Sequence, residues 1–120
     1  MTSRDPSRFL PLQPAVFHIL LALSGGEHHG YAIIQDVDAR TAGGVRLSAA
    51  TLYRSLQRMT EDGLIAEVAR RPAGALDDPR RRYYRATDLG RAAVRAEVAR
   101  LAGLVKMARA RGLTPAPADG

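Results

Sequence analysis

The stretch Ser48-Ala-Ala-Thr-Leu-Tyr-Arg-Ser-Leu-Gln-Arg-Met-Thr-Glu-Asp-Gly63-Leu64 constrains the fold of this chain more than any other. A serine ahead of the first periodic apolar residue opens a helix, because its hydroxyl can take an unpaired N–H of the first turn. A glycine past the last one closes it. Between them, at about 100° per residue, Leu52, Leu56 and Met59 share one face while Thr51, Arg54, Ser55 and Arg58 share the opposite one. The outward set is basic and hydroxylated, and carries no carboxylate until Asp62. Such a face suits the acceptor-rich major groove of double-stranded DNA, where arginine can grip guanine and small hydroxyls can reach bases or phosphates.

The segments on either side place this helix in a recognisable order. Residues 1–13 are polar, contain Pro6 and Pro11, and read as a disordered arm. Pro14 suits a first helical turn, and Ala15–Ser24 is apolar around most of its circumference, so this helix is expected to be buried on several sides until Gly25-Gly26 ends it. A second helix is predicted over about Tyr31–Thr41, with Ile33, Ile34 and Val37 inward, and Gly43-Gly44 breaks it. Val45-Arg46-Leu47 is long enough for one short strand. Beyond the capped helix, Ile65–Arg71 and Arg81–Ala86 read as two strands joined by a long loop that holds Pro72, Gly74, Asp77, Asp78 and Pro79. Thr87 caps a last helix that runs to about Arg111, and Gly112, Pro115 and Pro117 mark a frayed tail.

The expected fold class is therefore mainly α with a small β-hairpin: a winged helix-turn-helix over 14–86, a C-terminal dimerisation helix over 87–111 and a disordered tail over 112–120. Leu20, Leu23, Ile33, Val37, Leu52, Leu56 and Leu64 should form its core.

Composition narrows the function. A chain of 120 residues is one domain by length, and 46% hydrophobic residues with only 5% aromatics and no tryptophan imply an aliphatic, helix-favouring core. A formal net charge of +6 points to a polyanionic partner. Lys106 is the single lysine among 18 basic residues. Arginine is the better phosphate fork, yet a codon bias toward Arg and Ala explains the excess equally well. The absence of cysteine excludes disulfides, thiolate metal ligands and cysteine nucleophiles, and fits a cytoplasmic protein. Phe17–Leu23 is too short to span a bilayer, and no signal peptide is legible.

A second basic cluster lies on the wing, where Arg70 and Arg71 precede the loop and Arg80, Arg81 and Arg82 follow it, partly offset by Asp77 and Asp78. Beside a basic recognition helix this cluster is expected to reach phosphates or the minor groove, the plainer alternative being a solvated hairpin tip. Tyr53 falls roughly 160° from the basic face and is expected to pack, with its hydroxyl reaching a neighbouring helix or a phosphate. Glu27, His28 and His29 are the nearest thing to a metal cluster, but adjacent histidines in a glycine-flanked turn read as exposed turn residues, so no metal and no cofactor is expected. Nor can a nucleophile–base pair or a phosphate-binding loop be assembled, which leaves an enzyme the weakest reading. On the last helix Val94, Val98, Leu101, Val105 and Ala108 repeat at four-three spacing, a seam on a rod of roughly 37 Å at 1.5 Å per residue. It is longer than the small core can cover, and a homodimer is the expected cover.

Gly30-Tyr31, the block Leu47-Ser-Ala-Ala-Thr-Leu-Tyr53 with Leu56, Arg58-Met59, Glu61 and Gly63-Leu64-Ile65, and Arg81-Arg-Tyr-Tyr-Arg-Ala-Thr-Asp-Leu-Gly90-Arg91 together resemble the PadR transcriptional regulators, in their short form with a single terminal helix. The resemblance implies a bacterial repressor, dimeric through that helix and often released from its operator by a small-molecule effector or a stress signal. Carried onto this sequence, it implies DNA contacts by Tyr31, Ser48, Thr51, Tyr53 and Arg54 and by the wing arginines. Ala49 and Ala50 stand where family members often have proline and glycine, Arg54 where proline is common, and Ala86 where a larger aliphatic is usual. Some members stack flat ligands on a tryptophan at the dimer centre, which this chain lacks. The alternative to a DNA-binding regulator is a winged helix used for protein–protein contact, whose helix face would be neutral or apolar. A membrane-surface protein would need bulky apolar anchors that the seam does not have.

Overall fold

The structure, a computed structural model, describes residues 5–68 and 81–114. Helix α1 (Pro14–Ser24) starts on its proline and buries Ile19, Leu20, Ala22 and Leu23. Helix α2 (Gly30–Arg40) takes its cap from His29, whose Nδ1 accepts the Ala32 N–H at 3.2 Å. Helix α3 (Ala49–Glu61) is opened by Ser48, whose hydroxyl accepts the Thr51 N–H at 3.1 Å. It closes on a left-handed glycine: Gly63 has φ +80°, its N–H donates to the Thr60 carbonyl, and the Leu64 N–H reaches back to the Met59 carbonyl at 2.9 Å. That pair of bonds satisfies the last carbonyls of α3 and turns the chain into the sheet.

Three short strands follow the order β1-β3-β2, all antiparallel: β1 (His28–His29), β2 (Ile65–Glu67) and β3 (Tyr83–Ala86). Ile65 pairs with Ala86 and Glu67 with Tyr84 on one side of β3, while His28 pairs with Tyr84 on the other. The third strand is thus not the expected Val45–Leu47. Those residues form no strand; the Thr41 hydroxyl accepts the Val45 N–H at 3.0 Å and ties the segment to the end of α2. The histidines are likewise not exposed turn residues, since strand pairing with β3 and the cap on α2 half-bury them. The hairpin is shorter than predicted within the described residues, its last rung being the Val68 N–H on the Tyr83 carbonyl. The loop expectations for Pro72, Gly74, Asp77, Asp78 and Pro79 lie outside the described residues, as do residues 1–4 and 115–120.

The N-terminal segment corrects the sequence reading. From Asp5 onward it is folded: Asp5 caps a short 3-10 helix, Pro6–Phe9, through the Ser7 N–H and hydroxyl, and these two bonds hold its carboxyl below the usual carboxylate range. Leu12 is 8% exposed and belongs to the core, with Phe9 and Leu10 packed against it. A polar, proline-bearing stretch is ordered here because its few apolar residues find cover against the last helix and the core.

That last helix, α4 (Asp88–Ala110), is capped by Thr87, whose hydroxyl accepts the Gly90 N–H and donates to the Gly63 and Leu64 carbonyls. The joint is so tight that a Cβ on Gly90 would run into the Leu64 carbonyl and meet Leu20 Cδ2 at 3.2 Å. Around it lie Leu20, Leu23, Ile33, Val37, Leu52, Leu56 and Leu64, each at most 2% exposed, as expected. The structure is mainly helical with a small antiparallel sheet, a winged helix-turn-helix with a long terminal helix. Because the obstacle at Gly90 is backbone, Gly90→Ala should destabilise the fold by about 3 kcal/mol or more, the upper end of overpacking costs. Urea unfolding should show a lowered midpoint, and an unchanged midpoint would mean that α4 is free to shift.

Candidate nucleic-acid interface

On α3 the buried residues Leu52, Leu56 and Met59 leave Ala50, Tyr53, Arg54, Gln57, Arg58 and Glu61 exposed. Thr51 and Ser55, assigned to the outward face from sequence, are half-buried instead. The folded N-terminal segment lies on their side of the helix, and a line of exposed residues runs through Ala50, Arg54, Gln57 and Glu61. Gln57 is not part of the basic stripe, but its angle from the centre of the apolar stripe places it on this exposed line. Ser48 donates its hydroxyl hydrogen to Thr51 Oγ1 at 3.0 Å, locking the first turn. Arg58 reaches Asp62 at 3.4 Å, while Arg54 makes no ion pair among the described residues.

On the sheet side of α3 a shallow recess of about 410 Å³ is lined by His29, Gly30, Tyr31, Tyr53, Arg81, Arg82 and Tyr84. It forms because α2 starts against α3: a Cβ on Gly30 would sit 2.9 Å from the Tyr53 hydroxyl. Tyr53 therefore does reach the neighbouring helix, as expected, but it is 55% exposed and not a packing residue; Tyr31 is equally open. The His29 and Tyr83 rings meet edge-on with centroids 5.3 Å apart, and Arg81 Nη1 lies 3.1 Å from His29 Nε2. Arg82 stands between the Glu67 carboxylate, 3.9 Å away, and the Tyr84 hydroxyl. Burial pushes the Tyr84 phenol above its ordinary value, with Glu67 adding to the shift, so the phenol stays a neutral donor. Of the five wing arginines the structure thus places Arg81 and Arg82 beside α3, whereas Arg70, Arg71 and Arg80, with Asp77 and Asp78, lie outside the described residues. Among the described residues no three His, Asp or Glu side chains gather to hold a metal ion, and no helix is long and apolar enough to cross a membrane.

The α4 seam divides in two. Val94 is 9% exposed because the first turns of α4 lie on α1, so it serves the protomer's own core and not the expected interface. Further on, Val98 and Val105 are nearly half exposed, and Leu101 and Ala108 half-buried. Leu104 and Met107 join them at 45% and 59% exposure. The heptad count passed over these two, although three-residue steps from Leu101 lead to both.

Comparison with known proteins agrees with this geometry. The sequence model of the transcriptional regulator PadR-like family matches residues 19–96. A transcriptional regulator of Mycobacterium tuberculosis, Rv3488, is 39% identical over 77 residues, which cover 64% of this chain and 65% of that protein. The chain thus spans a little under two thirds of that relative's length in the match. Among solved structures, a PadR family regulator from Clostridium difficile superposes with a TM-score of 0.67 at 22% identity, covering 81% of this chain and 96% of that one. Bacillus subtilis PadR, solved in complex with operator DNA, superposes with a TM-score of 0.60 at 22% identity, covering 73% of this chain and 48% of that one. With the family's sequence pattern running from within α1 to within α4, this chain belongs to the PadR-like family of transcriptional regulators.

Proposed function

We propose that the chain is a transcriptional repressor that binds a palindromic operator in double-stranded DNA as a homodimer. It would act in the cytoplasm, with a small-molecule effector as the releasing signal that the family resemblance implies. The observation that carries the DNA reading is the exposed line of α3, where Arg54 has no ion-pair partner among the described residues and Gln57 lies one turn further on. Arginine and glutamine are the side chains that grip guanine and adenine edges bidentately. The tyrosine–arginine recess beside them would meet phosphates: Tyr31, Tyr53, Arg81 and Arg82 offer donors, and Arg70, Arg71 and Arg80 add charge nearby in sequence. Ser48, Thr51, Ser55 and Arg58 occupy the opposite flank of α3. The Bacillus subtilis relative carries operator DNA, which supports the same use of this fold.

Reading and gripping separate experimentally. Arg54→Ala or Gln57→Ala should cost on the order of 1–3 kcal/mol on a selected operator and little on a scrambled duplex. Replacing Arg80, Arg81 and Arg82 by alanine should weaken both duplexes alike and lower the salt slope by roughly one unit per lost phosphate contact. Titrations at several salt concentrations check this. Equal losses on both duplexes for the α3 variants would move the reading surface elsewhere, and no binding of the wild type to any duplex at low salt would end the DNA reading.

The homodimer rests on Val98, Leu101, Leu104, Val105, Met107 and Ala108, an apolar stripe left uncovered by the protomer. Val105→Asp changes a side chain that is 46% exposed, so the protomer's core stays intact. Sedimentation at micromolar concentration should show the wild type at twice 12.9 kDa and this variant at 12.9 kDa. A monomeric wild type would refute the dimer.

A further inference from the structure

The flank of α3 opposite the wing holds a second cleft, about 710 Å³, between α3 and the N-terminal segment. Its rim carries three arginines, Arg8 from the short 3-10 helix and Arg54 and Arg58 from α3, against one carboxylate, Asp62. Asp62 already faces Arg58 at 3.4 Å, and Asp5, the other nearby carboxylate, is occupied with the Ser7 N–H and hydroxyl. Arg8 is exposed, and its guanidinium is stacked 4.2 Å over the centroid of the Phe9 ring, which limits its swing. Phe9 in turn packs against the core. The arginine is therefore presented on a platform and not on a loose tail.

We infer that residues 5–13 form a third DNA-binding element, in which Arg8 grips a backbone phosphate on the groove wall opposite the one that the wing meets. This rests on the proposal that α3 enters the major groove. An α-helix with its side chains is about 10–12 Å across and the groove about 12 Å wide, so phosphates line both flanks of an inserted helix. The tyrosine–arginine recess serves one flank. On the other, among the described residues lining the cleft, the cation carried by an element outside α3 is Arg8, on the same cleft as Arg54.

Glu97 of α4 is the positioning residue for this element. It is 3% exposed, Arg100 clamps both its oxygens at 2.7 and 2.8 Å, and the Leu12 backbone N–H lies close enough to pull on its carboxylate. The Arg100 guanidinium, through its hydrogen bonds and its charge, holds the Glu97 carboxyl below the usual carboxylate range, outweighing its burial, with the Leu12 N–H a smaller contribution. The segment is thus packed on α4, with the buried Leu12 four residues beyond Arg8 set beside the Glu97 carboxylate.

The test is the salt dependence of binding by the full chain to a selected operator and to a scrambled duplex. Arg8→Ala should lower the slope of log affinity against log salt by about one unit and weaken both duplexes by the same factor, severalfold at low salt, and Arg8→Lys should restore the slope. Glu97→Ala should lower the slope equally, adding Arg8→Ala to it should change nothing further, and Glu97→Gln, which keeps an acceptor for Leu12, should hold the wild-type slope. A merely structural Glu97 would change the melting temperature and leave the slope alone, which overturns its positioning role. A wild-type slope for Arg8→Ala, in a protein that still binds operator, overturns the third element and leaves the DNA reading standing. Failure of the wild type to bind any duplex removes both.

Discussion

One contact orders the rest of the molecule: the Thr87 hydroxyl bridging the Gly63 and Leu64 carbonyls while it caps α4, with Gly90 laid against the same Leu64 carbonyl. Four elements end or begin there. Helix α3 finishes on Gly63, β2 leaves from Leu64, β3 delivers the chain to Thr87, and α4 sets out from it. No side chain larger than hydrogen fits at Gly90, so the direction of α4 relative to α3 is set by backbone against backbone, which does not repack. The angle between α3 and α4 is in this sense a van der Waals constraint, and the surrounding aliphatic core fills in around it.

Periodicity and capping made much of this legible. Ser48, Thr87, Gly63 and the apolar stripes are local signals, and the helices they predict are within a residue or so of those observed. The errors lie where a residue's partner is distant in sequence. His28–His29 became a strand because β3, over fifty residues later, offers a free edge. Val45–Leu47 has strand-like composition but no edge to join. Tyr53 is exposed because Gly30 lets α2 come close without covering the ring.

The N-terminal segment is the clearest case. Prolines and a low apolar count correctly describe a stretch with little helical drive, but they say nothing of the last helix, on which the segment packs and beside which Leu12 is buried. Glu97 has the sequence signature of an ordinary solvated charge in an amphipathic helix. Its burial is decided by a segment more than eighty residues away. The candidate interface was read in the same partial way: residue types on α3 gave the chemistry, but the neighbours on its two flanks decided which of them face outward.

The rod-like shape of α4 carries a mechanical consequence. Its first turns are embedded beside α1, whereas the second half stands clear of the protomer. At 23 residues it is about 35 Å long, close to one turn of B-DNA. In a pair joined through the free half, a tilt of about 5° at the embedded end would displace the far end by about 3 Å on a rod of that length. That is comparable to the rise of one base pair. In such a pair a small change at the rod-to-rod seam would become a change of register between the two α3 helices, without either head having to deform.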